Sequence, residues 1–268
     1  MNVHTLRTLG RIVGGLLPGF AARIARRLAT RPLRAPSRIP PPGATAVTFR
    51  FGLAGLRWGD HGPRILALHG WEGRAAQFRG LGERLAARGY QLIALDAPGH
   101  GRSPGREANP VVFADAAVEA ASELGPLHAV VGHSMGGAAV LLAQSRGLRA
   151  GRSVAIAAPA GLPDVLQRLS RAFGLPLRAS RAFIAQMERH AGEPAASLDV
   201  AMLGAQLRGP LLLVHDHDDT VVPFGDGERI AALTGGELLA TRGLGHRDIL
   251  REARVLDRIT AFLAPRLR

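Results

Sequence analysis

The sequence predicts an α/β protein: a mostly parallel central sheet flanked by helices, with a small helical cap over one edge. Three observations carry that prediction. Short apolar runs at 64–68, 91–95, 153–157, 211–214 and 237–240, and a further run just ahead of Ser134, alternate with stretches of helical periodicity, the pattern of parallel strands covered on both faces. The chain has 268 residues, 47% of them hydrophobic, enough for one substantial core. Finally, residues 161–208 separate two of these strands by far more than a simple helix-to-strand connection requires.

Taken in order, residues 3–28 place Val3, Leu6, Leu9, Ile12, Val13, Leu16, Leu17, Phe20, Ile24 and Leu28 at helical spacing, with Arg7, Arg11, Arg23, Arg26 and Arg27 mostly off that stripe. Pro18-Gly19 should divide it into two helices. The leading expectation is a helix pair docked on the domain or on a twin subunit. A basic amphipathic segment of this kind is also able to lie in a membrane interface, and a processed targeting segment is the third reading. No apolar stretch matches a secretory signal or reaches the length of a membrane span. Residues 31–43 contain five prolines and read as an extended linker. Residues 1–44 are thus expected to precede a catalytic domain over 45–268.

Within that domain, 46–51 and 53–58 suggest an edge hairpin, followed by the strand at 64–68, a helix at 75–88, the strand at 91–95 and a helix at 111–124. The insertion at about 161–208 contains helical patterns around 165–173, 181–190 and 198–207 and reads as the cap. Residues 228–233 are expected to be helical, 237–240 to form the last strand, and 248–263 to close the fold as one helix. Phe173, Phe183, Leu166, Leu169 and Leu175, set among arginines, suggest an apolar pocket with a basic rim.

Charge placement narrows the function classes. The formal net charge is +13, yet residues 1–59 hold ten arginines and no acid, whereas residues 60–268 hold 24 arginines against 21 acids. The basic excess belongs to the N-terminal segment, so no nucleic-acid partner is expected of the domain. The chain has no cysteine, which removes disulfides and thiolate metal sites and is compatible with a reducing compartment. The expectation is a cytoplasmic protein, with peripheral membrane contact through residues 1–28 as the alternative to docking; the oligomeric state is open.

The chemistry concentrates at 128–144, HAVVGHSMGGAAVLLAQ, which reads as strand, sharp turn, helix. A serine on such a turn is lifted above the sheet edge. Gly132 and Gly136 relieve the crowding that the turn creates. The helix that follows aims free N–H groups, Met135 first, at the place where an oxyanion would develop. The G-x-S-x-G pattern occurs twice, the second time at Gly101-Arg102-Ser103-Pro104-Gly105. Pro104 has no N–H to offer an oxyanion, and no strand or helix adjoins Ser103, so Ser134 is the candidate nucleophile.

With His69-Gly70-Trp71 after the strand at 64–68, the Asp96–Ser103 turn, the elbow at Ser134 and Gly243-Leu244-Gly245-His246 in fixed order, residues 45–265 resemble an α/β-hydrolase of the serine esterase/lipase type. The resemblance implies a nucleophile, an acid and a base in that chain order. His246, between the last strand and the last helix, is the implied general base; the other histidines, including His133 and His100, read as packing or scaffold residues. Within Asp216-His217-Asp218-Asp219-Thr220-Val221-Val222-Pro223 the family pattern places the acid at Asp219, with Asp218 in reserve. Asp216 stands where the pattern has glycine. The spacing of His215, His217 and Asp219 would suit metal ligands on a strand, but a turn explains the stretch better, and neither metal nor cofactor is expected.

The family's His-Gly-x segment implies that the N–H of Trp71 joins that of Met135 in an oxyanion hole. Related enzymes that act as dehalogenases or epoxide hydrolases carry an aspartate at the elbow, and here it is serine. The implied reaction is hydrolysis of a carboxylic ester or thioester of small to medium acyl size through an acyl-enzyme. Carbon–carbon or amide hydrolysis on the same triad, and a non-catalytic ligand-binding or membrane-adaptor role, are the competing readings.

Overall fold

The computed structural model describes residues 3–34 and 39–264. In chain order its elements are α1 (Val3–Leu16), α2 (Pro18–Thr30), β1 (Ala44–Thr48), β2 (Ala54–Trp58), β3 (Arg64–Leu68), α3 (Arg79–Ala86), β4 (Gln91–Asp96), α4 (Pro110–Leu124), β5 (Leu127–His133), α5 (Met135–Ser145) and β6 (Ala150–Ile156). There follow α6 (Leu162–Ala172), α7 (Leu177–Ala191), α8 (Val200–Leu203), β7 (Leu211–Asp216), α9 (Phe224–Thr234), β8 (Glu237–Thr241), α10 (Gly245–Asp248) and α11 (Ala253–Leu263).

The eight strands form one sheet in the order β1-β2-β4-β3-β5-β6-β7-β8. β1 and β2 pair antiparallel at one edge, β2 runs antiparallel to β4, and every remaining pairing is parallel. The chain winds outward from β3 in one direction through β4 and in the other through β5. That makes the carboxyl ends of β3 and β5 a topological switch point, where open α/β sheets place their ligands. The period-2 alternation of a strand divides the core. Leu66 and Leu68 of β3, Ile93 and Leu95 of β4 and Val130 of β5 pack with α4 and α5. Ile65, Ala67, Leu92, Ala94, Ala129 and Val131 face the other way, onto Leu81 and Leu85 of α3 and Leu256, Ile259 and Leu263 of α11.

The cap consists of α6, α7 and the short turns between Ala195 and Gln206. The third cap helix expected over 198–207 is broken. Asp199 is extended (φ −108°, ψ 140°), its carboxylate accepts from the N–H of Ala201 at the start of α8, and it pairs with Arg229 at 2.7 Å. A residue held in that way ends one turn and starts another. The single closing helix expected over 248–263 is likewise two helices. Glu252 is extended between them, and its carboxylate accepts from the N–H of Arg254. Ile249 and Leu250, adjacent in sequence, are both buried, which the resulting turn allows.

Pro18 opens α2 and separates it from α1 as expected. The pair docks on the cap, α2 along α7 and α1 near the junction of α6 and α7. Among the described residues no helix is long and apolar enough to cross a membrane. Residues 35–38, inside the proline-rich linker, lie outside the described residues.

Candidate active site

β5 delivers Ser134 to the switch point, and the local sequence accounts for its conformation. Ser134 has φ 53° and ψ −123°, a left-handed value that strains any side-chain-bearing residue. Its N–H donates to Ile156 O at 2.8 Å, and its carbonyl accepts from Gly137 N at 2.9 Å, so both ends of the turn are pinned. The flanking glycines are there for space. A Cβ at Gly132 would lie 2.5 Å from Gly137 Cα, and one at Gly136 would overlap the carbonyls of Leu68 and His69. Gly70 completes the set, because a Cβ there would come within 2.8 Å of Ser134 Cβ. Only glycine lets the loop after β3 lie this close to the serine.

That loop presents Trp71, whose N–H has no acceptor among the described residues; nor does the N–H of Met135 at the start of α5. His69 braces the loop from beneath. Its Nδ1–H donates to Gly70 O at 2.7 Å and its Nε2 accepts from Ala97 N at 3.0 Å. Burial holds this imidazole neutral, with its pKa lowered from 6.5 to about 3. His100 accepts from Glu72 N at 3.1 Å and stacks edge-on to Trp71, a scaffold position. The Glu72 carboxylate accepts from Leu33 N at 3.0 Å and so ties the linker to the site's rim.

From the other side of the sheet come Asp219, in the loop after β7, and His246, in α10. His246 Nδ1 lies 2.7 Å from Asp219 Oδ2. Burial pushes the Asp219 carboxyl up, but the hydrogen bond from His246 and those from the N–H groups of Val222 and Val221 outweigh it and hold the pKa below the usual range. With Nδ1–H donating to a carboxylate, Nε2 of His246 is left as the unprotonated, accepting nitrogen. Among the described residues Asp218 forms no hydrogen bond or ion pair with His246; its carboxylate accepts from Gly243 N at 2.8 Å. The Ser134 hydroxyl has no hydrogen-bond partner among the described residues. The structure therefore joins Asp219 to His246 and leaves the serine oxygen unengaged.

Two further residues bear on the site. Asp216 fills the place where the family pattern has glycine, and its buried carboxylate accepts from Thr241 Oγ1 at 2.6 Å, Asp218 N at 2.9 Å, Gly245 N at 3.0 Å and Leu244 N at 3.2 Å. Burial raises its pKa and these four donors lower it further, for a net decrease. It braces the loop that leads into His246. The cue in the sequence was an acid at a strand end paired with a glycine-rich loop full of free N–H groups. His133 is the second. Its Nε2–H donates to His246 O at 2.8 Å, and the two rings lie 4.8 Å apart. Burial, followed by the neighbouring His246, lowers its pKa to about 3. His215 Nε2 lies 3.6 Å from Asp219 Oδ2, but His217 stacks on Phe224 with ring centroids 3.7 Å apart, and among the described residues the three form no metal-holding group.

Ser103 occupies a different position. It is fully buried, its Oγ accepts from Ala54 N at 2.8 Å and donates to Asp96 O, and it serves the loop after β4.

Ser134, Met135 and Trp71 open into a cavity of about 580 Å³ beneath the cap. Its walls are mostly apolar. Leu166, Leu169 and Phe173 line it as expected, together with Leu162, Val165 and Met187. Phe183 does not; it is fully buried in the cap's own core, edge-on to Phe173. Leu175 also lies off the cavity wall. Among the described residues Arg168 is the one cationic wall residue, and its guanidinium is engaged by Asp226 at 2.9 Å. Leu28 and Ala29 of α2 contribute to the wall, a role for the N-terminal segment that its amphipathic pattern did not signal.

Comparison with known proteins accords with this architecture. Residues 63–159 match the family model described as the alpha/beta hydrolase fold. The pimeloyl-acyl-carrier-protein methyl ester esterase of Xanthomonas oryzae is 31% identical over 252 residues, a match covering 76% of this chain and 96% of that protein. The chain belongs to the α/β-hydrolase family. The hydrolase is also 26% identical to the monoacylglycerol lipase of Mycolicibacterium smegmatis, over 78% of this chain and 91% of that one. An esterase of Pyrococcus furiosus superimposes with a TM-score of 0.64 over 87% of the hydrolase and 96% of its own chain, at 21% identity, a likeness of fold.

Proposed function

We propose that the chain is a serine hydrolase of carboxylic esters or thioesters with small to medium apolar acyl groups. The observation that carries this reading is the Asp219–His246 hydrogen bond of 2.7 Å in a fold that holds Ser134 at φ 53° against a mostly apolar cavity. Ser134 Oγ attacks the carbonyl carbon while His246 Nε2 takes its proton. Asp219 fixes the imidazole tautomer and stabilises the cation that forms. The N–H groups of Trp71 and Met135 receive the oxyanion. Collapse of the tetrahedral species expels the alcohol or thiol, protonated by His246. Water, activated by the same histidine, then releases the acid and restores the serine. The curated relatives are named for ester and lipid hydrolysis, and the cavity volume suits a ligand of modest size.

A series of p-nitrophenyl esters from acetate to palmitate tests the reading. Ser134→Ala should lower kcat by roughly 10³-fold or more, whereas Ser122→Ala, whose hydroxyl bonds only to Glu119 O on the exposed side of α4, should leave it unchanged. Ester turnover that survives Ser134→Ala would remove the assignment of nucleophile. Folded wild-type protein that turns over no ester or thioester in the series would overturn the substrate class.

A further inference from the structure

The hairpin of α1 and α2 is amphipathic in an inverted sense. A helix pair docked on a globular domain ordinarily buries its large apolar side chains and turns small or polar ones outward. Here the docked side is built from small residues. A Cβ at Gly14 would come 2.6 Å from Pro176 Cδ, one at Gly10 would overlap Phe173 O, and Ala21, Ala22 and Ala25 are buried. The large apolar side chains face away. Of the fifteen large hydrophobics exposed among the described residues, seven lie between Leu9 and Leu28. On α2, Phe20, Ile24 and Leu28 follow one i, i+4, i+8 ridge, and Arg23 and Arg27 follow the row beside it.

We propose that this outward face docks on the surface of an anionic phospholipid bilayer, with the hairpin lying in the interface. The charge pattern favours lipid over a second copy of the chain. Residues 1–59 contain no acid, so a two-fold interface through this face would set Arg23 and Arg27 against their own counterparts with no carboxylate of the segment to neutralise them. An anionic surface supplies that charge, and the ridge of Phe20 and Ile24 supplies the apolar contact, the pairing that holds helices at a headgroup boundary. Leu28 belongs both to the outward face and to the cavity wall. Docking therefore brings the edge of the cavity to the lipid surface.

The test is flotation of the full-length protein with vesicles of phosphatidylglycerol and phosphatidylcholine, or of phosphatidylcholine alone, across a salt series. Binding is read without reference to turnover, so it stands apart from the hydrolase assignment. The wild type should partition onto the anionic vesicles at least tenfold more strongly than onto the neutral ones. Arg23→Gln with Arg27→Gln should weaken that partition by about twenty- to thirty-fold at low salt. Leu16→Ser with Phe20→Ser and Ile24→Ser should weaken it at least tenfold while keeping wild-type turnover of a soluble short-chain ester. Equal partition of the wild type and the apolar variant would overturn the proposal. So would failure of the wild type to float, whether it stays monomeric or forms a dimer that the apolar variant abolishes; the dimer would assign the face to a second copy.

Discussion

Removing the carboxylate of Asp216 should loosen the base while leaving every group of the proposed triad in place. The side chain is fully buried and accepts four hydrogen bonds, three of them from backbone N–H groups, two of which lie in the loop leading into His246. A hydrogen bond to a charged acceptor contributes about 1.5–3 kcal/mol, and four on one group are not additive. Thr241, Leu244 and Gly245 are only half buried, so water recovers part of the loss. The net expectation for Asp216→Ala is about 3–5 kcal/mol, comparable with breaking a buried ion pair, or a melting point lower by roughly 10 °C. Asp216→Asn keeps the shape but turns an amide NH2 toward a donor, and it should lose nearly as much. Because the carboxyl is held below its ordinary value of 3.8, its contribution is present at pH 7 and is lost only as acidification protonates the folded form. Thermal melting and ester turnover at pH 7 are the assays, with kcat expected to fall at least about tenfold as the loop shifts. If Asp216→Ala melts within 2 °C of the wild type and keeps its kcat, the loop is held by His133 and Asp219 alone and the reasoning fails.

Three further expectations follow from the same geometry. His69 and His133 are buried and neutral, both near pKa 3 against 6.5 when unfolded, so the unfolded chain binds more protons between those values. Stability should decline as the pH drops below about 6.5, by about 2 kcal/mol per imidazole at pH 5, and a melting point that is flat from pH 7 to 5 would contradict it. Ser103→Ala orphans Ala54 N and Asp96 O in a buried site and should reduce stability by about 2 kcal/mol with kcat retained below the melting transition; a loss of kcat in folded protein would instead give Ser103 a part in the chemistry. Gly70→Ala drives a methyl group into Ser134 and toward His133 Nδ1, 3.1 Å from the new Cβ. Turnover should fall on the order of 10²-fold, and wild-type kinetics would show that the loop after β3 is free to move.

The elbow was legible because its requirements are local. Gly132, Ser134 and Gly136 are separated by single residues, and the clash that each glycine avoids lies within the turn or against the strand beside it. The strands were legible because a buried parallel sheet is written as apolar runs. Boundaries set by a distant side chain were not. Asp199 breaks the cap helix through its bond to Arg229, thirty residues away, and no periodicity in 198–207 carries that information. Asp216 looked like a departure from a glycine, although its partners at 241–245 are brought to it only by the pairing of β7 with β8. The N-terminal hairpin posed the hardest case. Its apolar stripe predicts which side chains share a face, but the docked face is decided by how closely Gly10, Gly14 and the alanines let two backbones approach, which is a property of the partner helix as much as of the stripe.

The contacts around the site also show which of its parts are held. The backbone of His246 is held by His133, its ring by Asp219, and the loop before it by Asp216. The backbone of Ser134 is fixed at both ends of the turn. Among the described residues the Ser134 hydroxyl alone of these groups has no hydrogen-bond partner. Rotation about a single χ1 bond takes place in picoseconds to nanoseconds, faster than loop or cap motions. In the proposed mechanism the scaffold therefore holds the base in advance through His133, Asp219 and Asp216, and the serine hydroxyl is the group left to reorient when a carbonyl enters the cavity. Changes in the cap or in α2 can then alter which acyl groups fit while leaving that preset geometry intact, because none of the hydrogen bonds that hold His246 comes from either.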